Sequence, residues 1–265
     1  MDAAAVIVGD EILAGHVHDA NTYFIAGRLA ELGHRMRRAV VVADDPEAIA
    51  NEVRRARAEA SIVFVCGGLG TTHDDRTMEG VALAVGRGLE PCAPLAAMIE
   101  SLIDSAAEAG FDGSLGSDAL RKMALAPSGA ELLETTWRFV PAVVIDDPPA
   151  TIVVLPGPPS QVERVFAEAV EPRYLDGTGE VPSRHEFTHA FPESTFADVL
   201  ERAARAHPSV SIGSYPQADH TLIRISGPQA DARSAAERIR AAIDELAGSE
   251  RGRAFLAFVR ARRGG

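Results

Sequence analysis

Ile62-Val63-Phe64-Val65-Cys66-Gly67-Gly68-Leu69-Gly70-Thr71-Thr72-His73-Asp74-Asp75-Arg76-Thr77-Met78-Glu79-Gly80-Val81-Ala82-Leu83-Ala84-Val85 is the stretch that decides the fold. The β-branched and aromatic run Ile62–Cys66 reads as a buried strand, and the apolar spacing after Arg76 reads as a helix. Between them, three glycines at a strand's carboxyl end let the backbone approach a ligand and turn its N–H groups outward. The helix presents its positive end to the same spot, which favours an anion such as phosphate. Two adjacent carboxylates beside such a cradle repel one another unless a metal ion or a proton is shared. The segment therefore predicts a phosphate-plus-metal site.

Outward from this stretch, residues 1–172 alternate apolar strands with amphipathic helices. Strands are expected at Ala3–Val8, Arg37–Ala43, Ile62–Cys66, Val140–Ile145 and Thr151–Leu155. Helices are expected at Thr22–Leu32, with Asn21 as N-cap and Gly33 at C′, and at Glu47–Glu59, with Asp45-Pro46 as cap and first residue. Leu95–Ala109 and Pro159–Val170 complete the helices. This βαβα rhythm predicts a three-layer α/β/α domain with a mostly parallel sheet, whose ligands bind outside the strand carboxyl ends. Leu175–Val181 reads as a linker. The βαββα order over 183–247 predicts a separate small α+β domain of split-βαβ character, followed by a basic tail over 248–265.

Composition sets the outer bounds. Hydrophobic content of 46% and charged content of 24% in 265 residues are those of a globular protein with room for one large domain and one small one. No apolar run approaches about 18 residues, so no membrane span is expected. No basic leader precedes the first strand, and Cys66 and Cys92 read as small reduced core residues. A cytoplasmic protein is expected. The net charge of −12 argues against a nucleic-acid-binding surface. Residues 250–265 nevertheless carry +4, leaving −16 on residues 1–249. There Phe255, Leu256, Phe258 and Val259 predict a helical face packed on the protein itself or on a second subunit.

The chemistry that the residues suggest is stabilisation of a phosphate or pyrophosphate group. The Gly67, Gly68 and Gly70 N–H groups and the Thr71 and Thr72 hydroxyls offer fixed donors to phosphate oxygens. Asp75 with Asp44 or Asp10 offers hard oxygens for Mg²⁺ or a similar ion. Pro156-Gly157-Pro158 makes a rigid turn at a strand end and reads as a wall of the site. Other readings stand beside these. Asp10 serves equally to brace a turn, and Asp45 to cap a helix. Of Asp74 and Asp75, one caps the helix near Arg76 and the other faces the ligand. His73 reads as exposed loop or as a general base, Thr77 as structural or as site. Gly213-Ser214-Tyr215-Pro216 reads as a turn or as a reach toward a ligand.

These motifs resemble a known family. Gly9-Asp10-Glu11-Ile12-Leu13-x-Gly15, Asp19-x-Asn21-Thr22, Val42-Ala43-Asp44-Asp45, Gly67-Gly68-Leu69-Gly70-Thr71-Thr72-x-Asp74-Asp75-x-Thr77 and Leu155-Pro156-Gly157-Pro158-Pro159 resemble, in order, the motifs of the molybdopterin-binding, MoaB/Mog-like domain. That domain is shared by molybdenum-cofactor proteins, by the competence-damage protein CinA and by the N-terminal half of eukaryotic FAD synthases. The resemblance implies a ligand contacted by Gly9, Asp10, Glu11, Asn21, Gly67, Gly68, Leu69, Gly70, Thr71, Thr72, Asp74, Thr77, Pro156, Gly157 and Pro158. Asp75 and Asp44 would be catalytic, and Asp75, Asp44 and Asp10 metal ligands. It further implies a nucleotide- or pterin-phosphate ligand and one of two activities: hydrolysis of a dinucleotide such as FAD or ADP-ribose with Mg or Co and potassium, or handling of molybdopterin. Homo-oligomers, dimers or trimers, are implied too. The departures are Met123 where CinA proteins carry glutamine, Val140-Pro141-Ala142-Val143-Val144 for their G-T-A-P-G, and Gln161 for a glutamate. Lys122-Met123-Ala124-x-x-Pro127, Phe139-x-Pro141 and Ile212-Gly213-Ser214-Tyr215-Pro216 look more like the FAD-synthase branch. Neither that branch's nucleotidyltransferase domain nor the CinA amidase domain is recognised in this sequence, so neither activity is implied.

Overall fold

The computed structural model describes residues 1–110, 116–136 and 142–263, of which 259–263 as backbone only. The chain divides into two compact units, Met1–Gly179 and Glu180–Gly265.

In the first unit, strand β1 (Asp2–Val8) leads through a short turn α1 (Asp10–Leu13) and helix α2 (Ala20–Glu31) to β2 (Arg35–Val42). Helix α3 (Pro46–Glu59), β3 (Ile62–Cys66) and α4 (Thr77–Val85) follow. The excursion β4 (Leu89–Pro91), α5 (Ala93–Glu108), α6 (Ser117–Lys122), β5 (Leu125–Pro127) and β6 (Glu131–Leu132) leads to β7 (Val143–Asp147), β8 (Ala150–Leu155) and α7 (Pro159–Val165). The main sheet has the order β2-β1-β3-β8-β7-β6. Its pairs β1–β2, β1–β3 and β3–β8 are parallel, whereas β7 pairs antiparallel with β8 and β6 with β7. Ala3–Val8 and Ile62–Cys66 are buried throughout, because helices cover both faces. Ile49 and Val53 of α3 with Val81 of α4 pack on one face. Ile25 and Leu29 of α2 with Val162 and Val165 of α7 pack on the other. The crossovers leaving β1 and β3 thus lie on opposite faces, and a crevice opens between the carboxyl ends of these two strands.

Several boundaries differ from expectation. Helix α2 begins at Ala20, and its cap is Asp19, whose Oδ1 accepts from the Thr22 N–H at 3.0 Å; Asn21 is buried inside the first turn. Gly33 takes φ +78° after the helix, as a C′ residue does. Asp45 caps α3 as expected, accepting from the Ala48 N–H at 2.9 Å with Pro46 following. The strand expected from Val140 is described from Val143; Phe139, Val140 and Pro141 lie outside the described residues. Helix α7 continues as a π-helix, Phe166–Leu175, with Pro172 inside. The expected linker is partly docked: Leu175 is buried, and Gly179 lies so close to the Leu32 carbonyl that a Cβ would stand 2.1 Å from it.

The second unit runs β9 (Ser183–His189), a 3₁₀ turn (Glu193–Phe196), α8 (Ala197–Ala206), β10 (Ser211–Pro216), β11 (Thr221–Gly227), α9 (Gln229–Gly248) and α10 (Glu250–Arg263). Its sheet order β10-β11-β9 is antiparallel at both pairings, so β9 and β10 run parallel with β11 between them, a split βαβ. Its core gathers Phe191, Phe196, Ile223, Ile225 and Ile239. Of the face expected on the basic tail, Phe255 stacks on Phe191 at 6.3 Å and Leu256 joins the core of this same unit. Phe258 is exposed, and the Val259 side chain lies outside the described residues. No helix of the described residues is long and apolar enough to cross a membrane.

Candidate functional site

The crevice at the ends of β1 and β3 opens into a cavity of about 600 Å³. Its walls come from loops far apart in sequence: Gly9 and Glu11 after β1, Asp44 after β2, Gly67–Gly70 with Asp74 and Asp75 after β3, and Pro156–Pro158 after β8. Asp19 and Asn21 of the α2 N-terminus line it as well.

The glycine turn is built by close approach. Gly67 has φ +102°, and a Cβ there would stand 2.2 Å from the Val8 carbonyl oxygen; Gly68 has φ +62°, and its Cβ would meet Thr77 Oγ1 at 2.4 Å. No side chain fits at either place. Thr77 is buried beneath the turn: its Oγ1 donates to the Gly67 carbonyl at 2.7 Å and its N–H to that of Gly68 at 3.2 Å. Thr77 is therefore structural. Among the described residues nothing accepts from the Gly68, Leu69 and Gly70 N–H groups, and α4 starts without a side-chain cap. These donors, and the helix's positive end, remain available to an anion.

The expectation that Asp74 or Asp75 caps α4 is corrected. Asp75 Oδ2 instead accepts from the Thr72 N–H at 2.8 Å and from the Thr72 hydroxyl, folding the loop on itself. Asp74 is 58% exposed at its side chain, and hydrogen bonding to Thr72 and to its own backbone holds its carboxyl below the usual range. Thr71, Thr72 and His73 are exposed and do not line the cavity, so the Thr72 hydroxyl serves Asp75. Asp10 also stays outside. Its N–H donates to Asp44 Oδ2 at 2.8 Å, and its side chain faces solvent. The Glu11 carboxylate folds back over Gly9, in the space a Cβ there would need.

Negative charge dominates this rim. Burial raises the Asp44 carboxyl above the usual range, the Asp10 N–H opposes this, and Asp10, Glu11 and Asp74 raise it further. Carboxylate oxygens are hard donors that suit Mg²⁺. Among the described residues, however, no three His, Cys, Asp or Glu side chains gather into a set that would hold an ion. Asp44 and Asp75 both line the cavity, whereas the Asp10 side chain faces solvent. Cys66 lines the cavity, where burial pushes its thiol far above the ordinary value and disfavours the thiolate.

Four contributors were missed in the sequence. Asp19 both caps α2 and lines the cavity; its spacing to Thr22 carried that signal. Met123 and Gln161, noted above only as departures, both face the cavity. Lys122 holds the loop from behind, donating to the Thr72 and Asp75 carbonyls. Asn21 was expected here, though in another role. Its Nδ2 donates to the Gly157 carbonyl at 2.9 Å, tying α2 to the proline turn. Gly213–Pro216 of the second unit forms β10, not a turn.

Fold and cavity together define a doubly wound α/β domain built to hold a small molecule at its strand crossover. Residues 4–176 match the family described as a probable molybdopterin binding domain, and residues 183–247 match the FAD synthase middle domain. The chain belongs to this molybdopterin-binding, CinA-like family. A protein of Aeropyrum pernix is 34% identical over 259 residues, covering 92% of this chain and 94% of its own. A CinA-like protein of Salinibacter ruber is 31% identical over 256 residues, covering 94% of this chain and 61% of its own. The crystal structure of CinA from Thermoplasma acidophilum, a protein described as of unknown function, superposes with a TM-score of 0.57 at 29% identity, over 66% of this chain and 97% of that one.

Proposed function

We propose that the protein is a metal-dependent nucleotide pyrophosphatase that hydrolyses a dinucleotide such as FAD or ADP-ribose. One observation carries the reading: the free N–H groups of Gly68–Gly70 and the carboxylates of Asp44, Asp74 and Asp75 open on a single cavity large enough for a nucleotide. The backbone donors and the positive end of α4 bind phosphate oxygens and stabilise charge that builds on them during cleavage. The Asp75 carboxylate, fixed by Thr72, stays ordered at the rim. Asp44, held by the Asp10 N–H, lines the same cavity. A divalent ion, magnesium or cobalt, would neutralise phosphate charge and orient water when bound, with potassium a further requirement. Gln161 and Met123 make part of the wall neutral, which leaves the acidic side to Asp44 and Asp75.

The family match over residues 4–176 favours a second reading, a binding protein for molybdopterin or its adenylylated form in molybdenum cofactor biosynthesis. A homo-oligomer, dimer or trimer, working in the cytoplasm belongs to both readings, and light scattering of the purified protein checks the assembly. AMP release from FAD, ADP-ribose and NAD, with Mg²⁺ or Co²⁺ and potassium, decides between them. Asp75→Asn keeps an acceptor for Thr72 and removes only the charge, so turnover should fall on the order of 10²–10³-fold. Asp45→Asn should stay near wild type, since asparagine caps a helix about as well as aspartate. Equal, mild effects of the two, or no AMP at all with tight pterin binding, would favour the binding protein.

A further inference from the structure

We propose that Lys122 is the cationic element of this site: it positions the Thr72–Asp75 loop and sets a positive charge, outside any salt bridge of the described residues, behind the phosphate turn. The proposal rests on the reading of the cavity as a phosphate site, not on hydrolysis.

Of the 26 lysines and arginines in the chain, Lys122 alone is lysine. Arginine serves at every other basic position, whether in ion pairs, at helix ends or in solvent. The single exception raises the question of whether arginine would serve equally well at this position. The two side chains differ in shape: an ammonium is compact and points three N–H bonds tetrahedrally, whereas a guanidinium is a planar fork on a longer reach.

The geometry at Lys122 uses that shape. It ends helix α6, and its Nζ donates to the Thr72 carbonyl at 3.1 Å and to the Asp75 carbonyl at 2.9 Å. Both carbonyls belong to the loop that carries Asp74 and Asp75. A flat fork on the same stem would overshoot two carbonyls that converge on one point. Lys122 also makes no ion pair with a carboxylate of the described residues, while its neighbour Arg121 pairs with Glu100 and Asp118. At longer range its charge helps keep the Asp74 carboxyl ionised, and with no salt bridge made it can also act on a bound anion.

The surroundings make that charge count. The ionisable groups lining the main cavity are Glu11, Asp19, Asp44, Asp74, Asp75, His18 and the Cys66 thiol, none of them a permanent cation. Lys122 lies in a smaller cleft of about 50 Å³ that shares Gly68, Leu69, Gly70 and Asp75 with the cavity, so it backs the same turn. A phosphate on the Gly68–Gly70 donors then lies between the acidic rim and one cation, whose attraction is strong at short range in a partly desolvated place.

Inorganic pyrophosphate with Mg²⁺, bound to the full chain and followed by calorimetry, tests this. Lys122→Met should weaken binding about tenfold or more, the loss of one charge-assisted contact. Lys122→Arg keeps the charge and should still bind at least about threefold more weakly than wild type. Arg121→Lys, one residue away, should bind as wild type and shows that such exchanges are harmless in themselves. Wild-type affinity in Lys122→Arg overturns the proposal, whatever Lys122→Met does, because any cation would then suffice. A second readout needs no variant beyond assignment. Apart from the chain's amino terminus, Lys122 is the one amine, so reductive ¹³C-methylation gives it a distinct resonance that Lys122→Arg removes. That resonance should shift on adding pyrophosphate, and an unmoved signal at saturation overturns the proposal. Failure to release AMP, with pyrophosphate binding and the shift intact, would sink the pyrophosphatase and leave this inference standing. AMP release with an unaltered Lys122→Arg would do the reverse.

Discussion

Asp44 is where residue-scale electrostatics and function meet. Its carboxyl is raised from an ordinary 3.8, first by burial and then by Asp10, Glu11 and Asp74, against the Asp10 N–H. The folded state thus holds that proton more tightly than the unfolded chain. The contribution of Asp44 to stability is most favourable below about 3.8, falls as pH climbs through the raised folded value, and carries its full penalty at neutral pH. Asp44→Asn keeps an acceptor for the Asp10 N–H and removes the charge. It should raise the melting temperature at pH 7 by roughly 1–3 °C, the advantage fading near pH 3. Calorimetry at the two pH values checks this, and an equal gain at both would assign the effect to something other than charge. At this scale the sequence was readable where a motif dictates backbone, as at Gly67 and Gly68. It misled where side chains choose partners. Asp75 braces its own loop instead of capping a helix, and Asn21 yields the cap to Asp19, because a choice between neighbouring acceptors is settled by packing that spacing does not encode.

Elements position these residues through close approach. Gly80 of α4 lies against α3, and a Cβ there would stand 2.6 Å from Ile49 Cβ and 3.1 Å from the Pro46 carbonyl oxygen. Ile49 is fully buried, so it has no room to give way. Gly80→Ala should therefore destabilise the protein by about 1–3 kcal/mol, although alanine is the better helix former. It should weaken pyrophosphate binding too, since α4 carries the turn's positive end. Urea unfolding measures the first effect; a neutral or stabilising outcome would mean that α4 slides freely on α3. The parallel strands were legible because burial on both faces demands unbroken apolar runs such as Ala3–Val8 and Ile62–Cys66. The short β4–β5 pair and α6 carry too few residues for a period. The π-helix was illegible for another reason. Its buried Glu171 is held by Arg28 of α2 at 2.8 and 2.7 Å, a bidentate pair between residues far apart in sequence that local patterning cannot announce.

At the scale of the whole molecule the two units carry separate hydrophobic cores, and the second contains a buried switchable group. His189 is 7% exposed, and its ring lies 5.0 Å from that of Phe196 and 6.3 Å from that of Phe191. Neither ring nitrogen makes a hydrogen bond of normal geometry. Burial lowers its pKa below the ordinary 6.5, and the Phe191 backbone offsets this only in part. The unfolded chain therefore binds the proton more tightly than the folded one. The stability that neutral His189 contributes is complete above about 6.5 and is lost as pH falls through the lower folded value. Hydrogen exchange read by mass spectrometry should show peptides from 183–247 losing protection between pH 7.5 and pH 5, after correction for the intrinsic exchange rate, while peptides from β1 and β3 keep theirs. His189→Leu, apolar and of similar bulk, should abolish that acid sensitivity without lowering protection at pH 7.5. If the variant remained as acid-labile as wild type, the sensitivity would lie with other groups, and His189 would be an ordinary aromatic neighbour of Phe191 and Phe196.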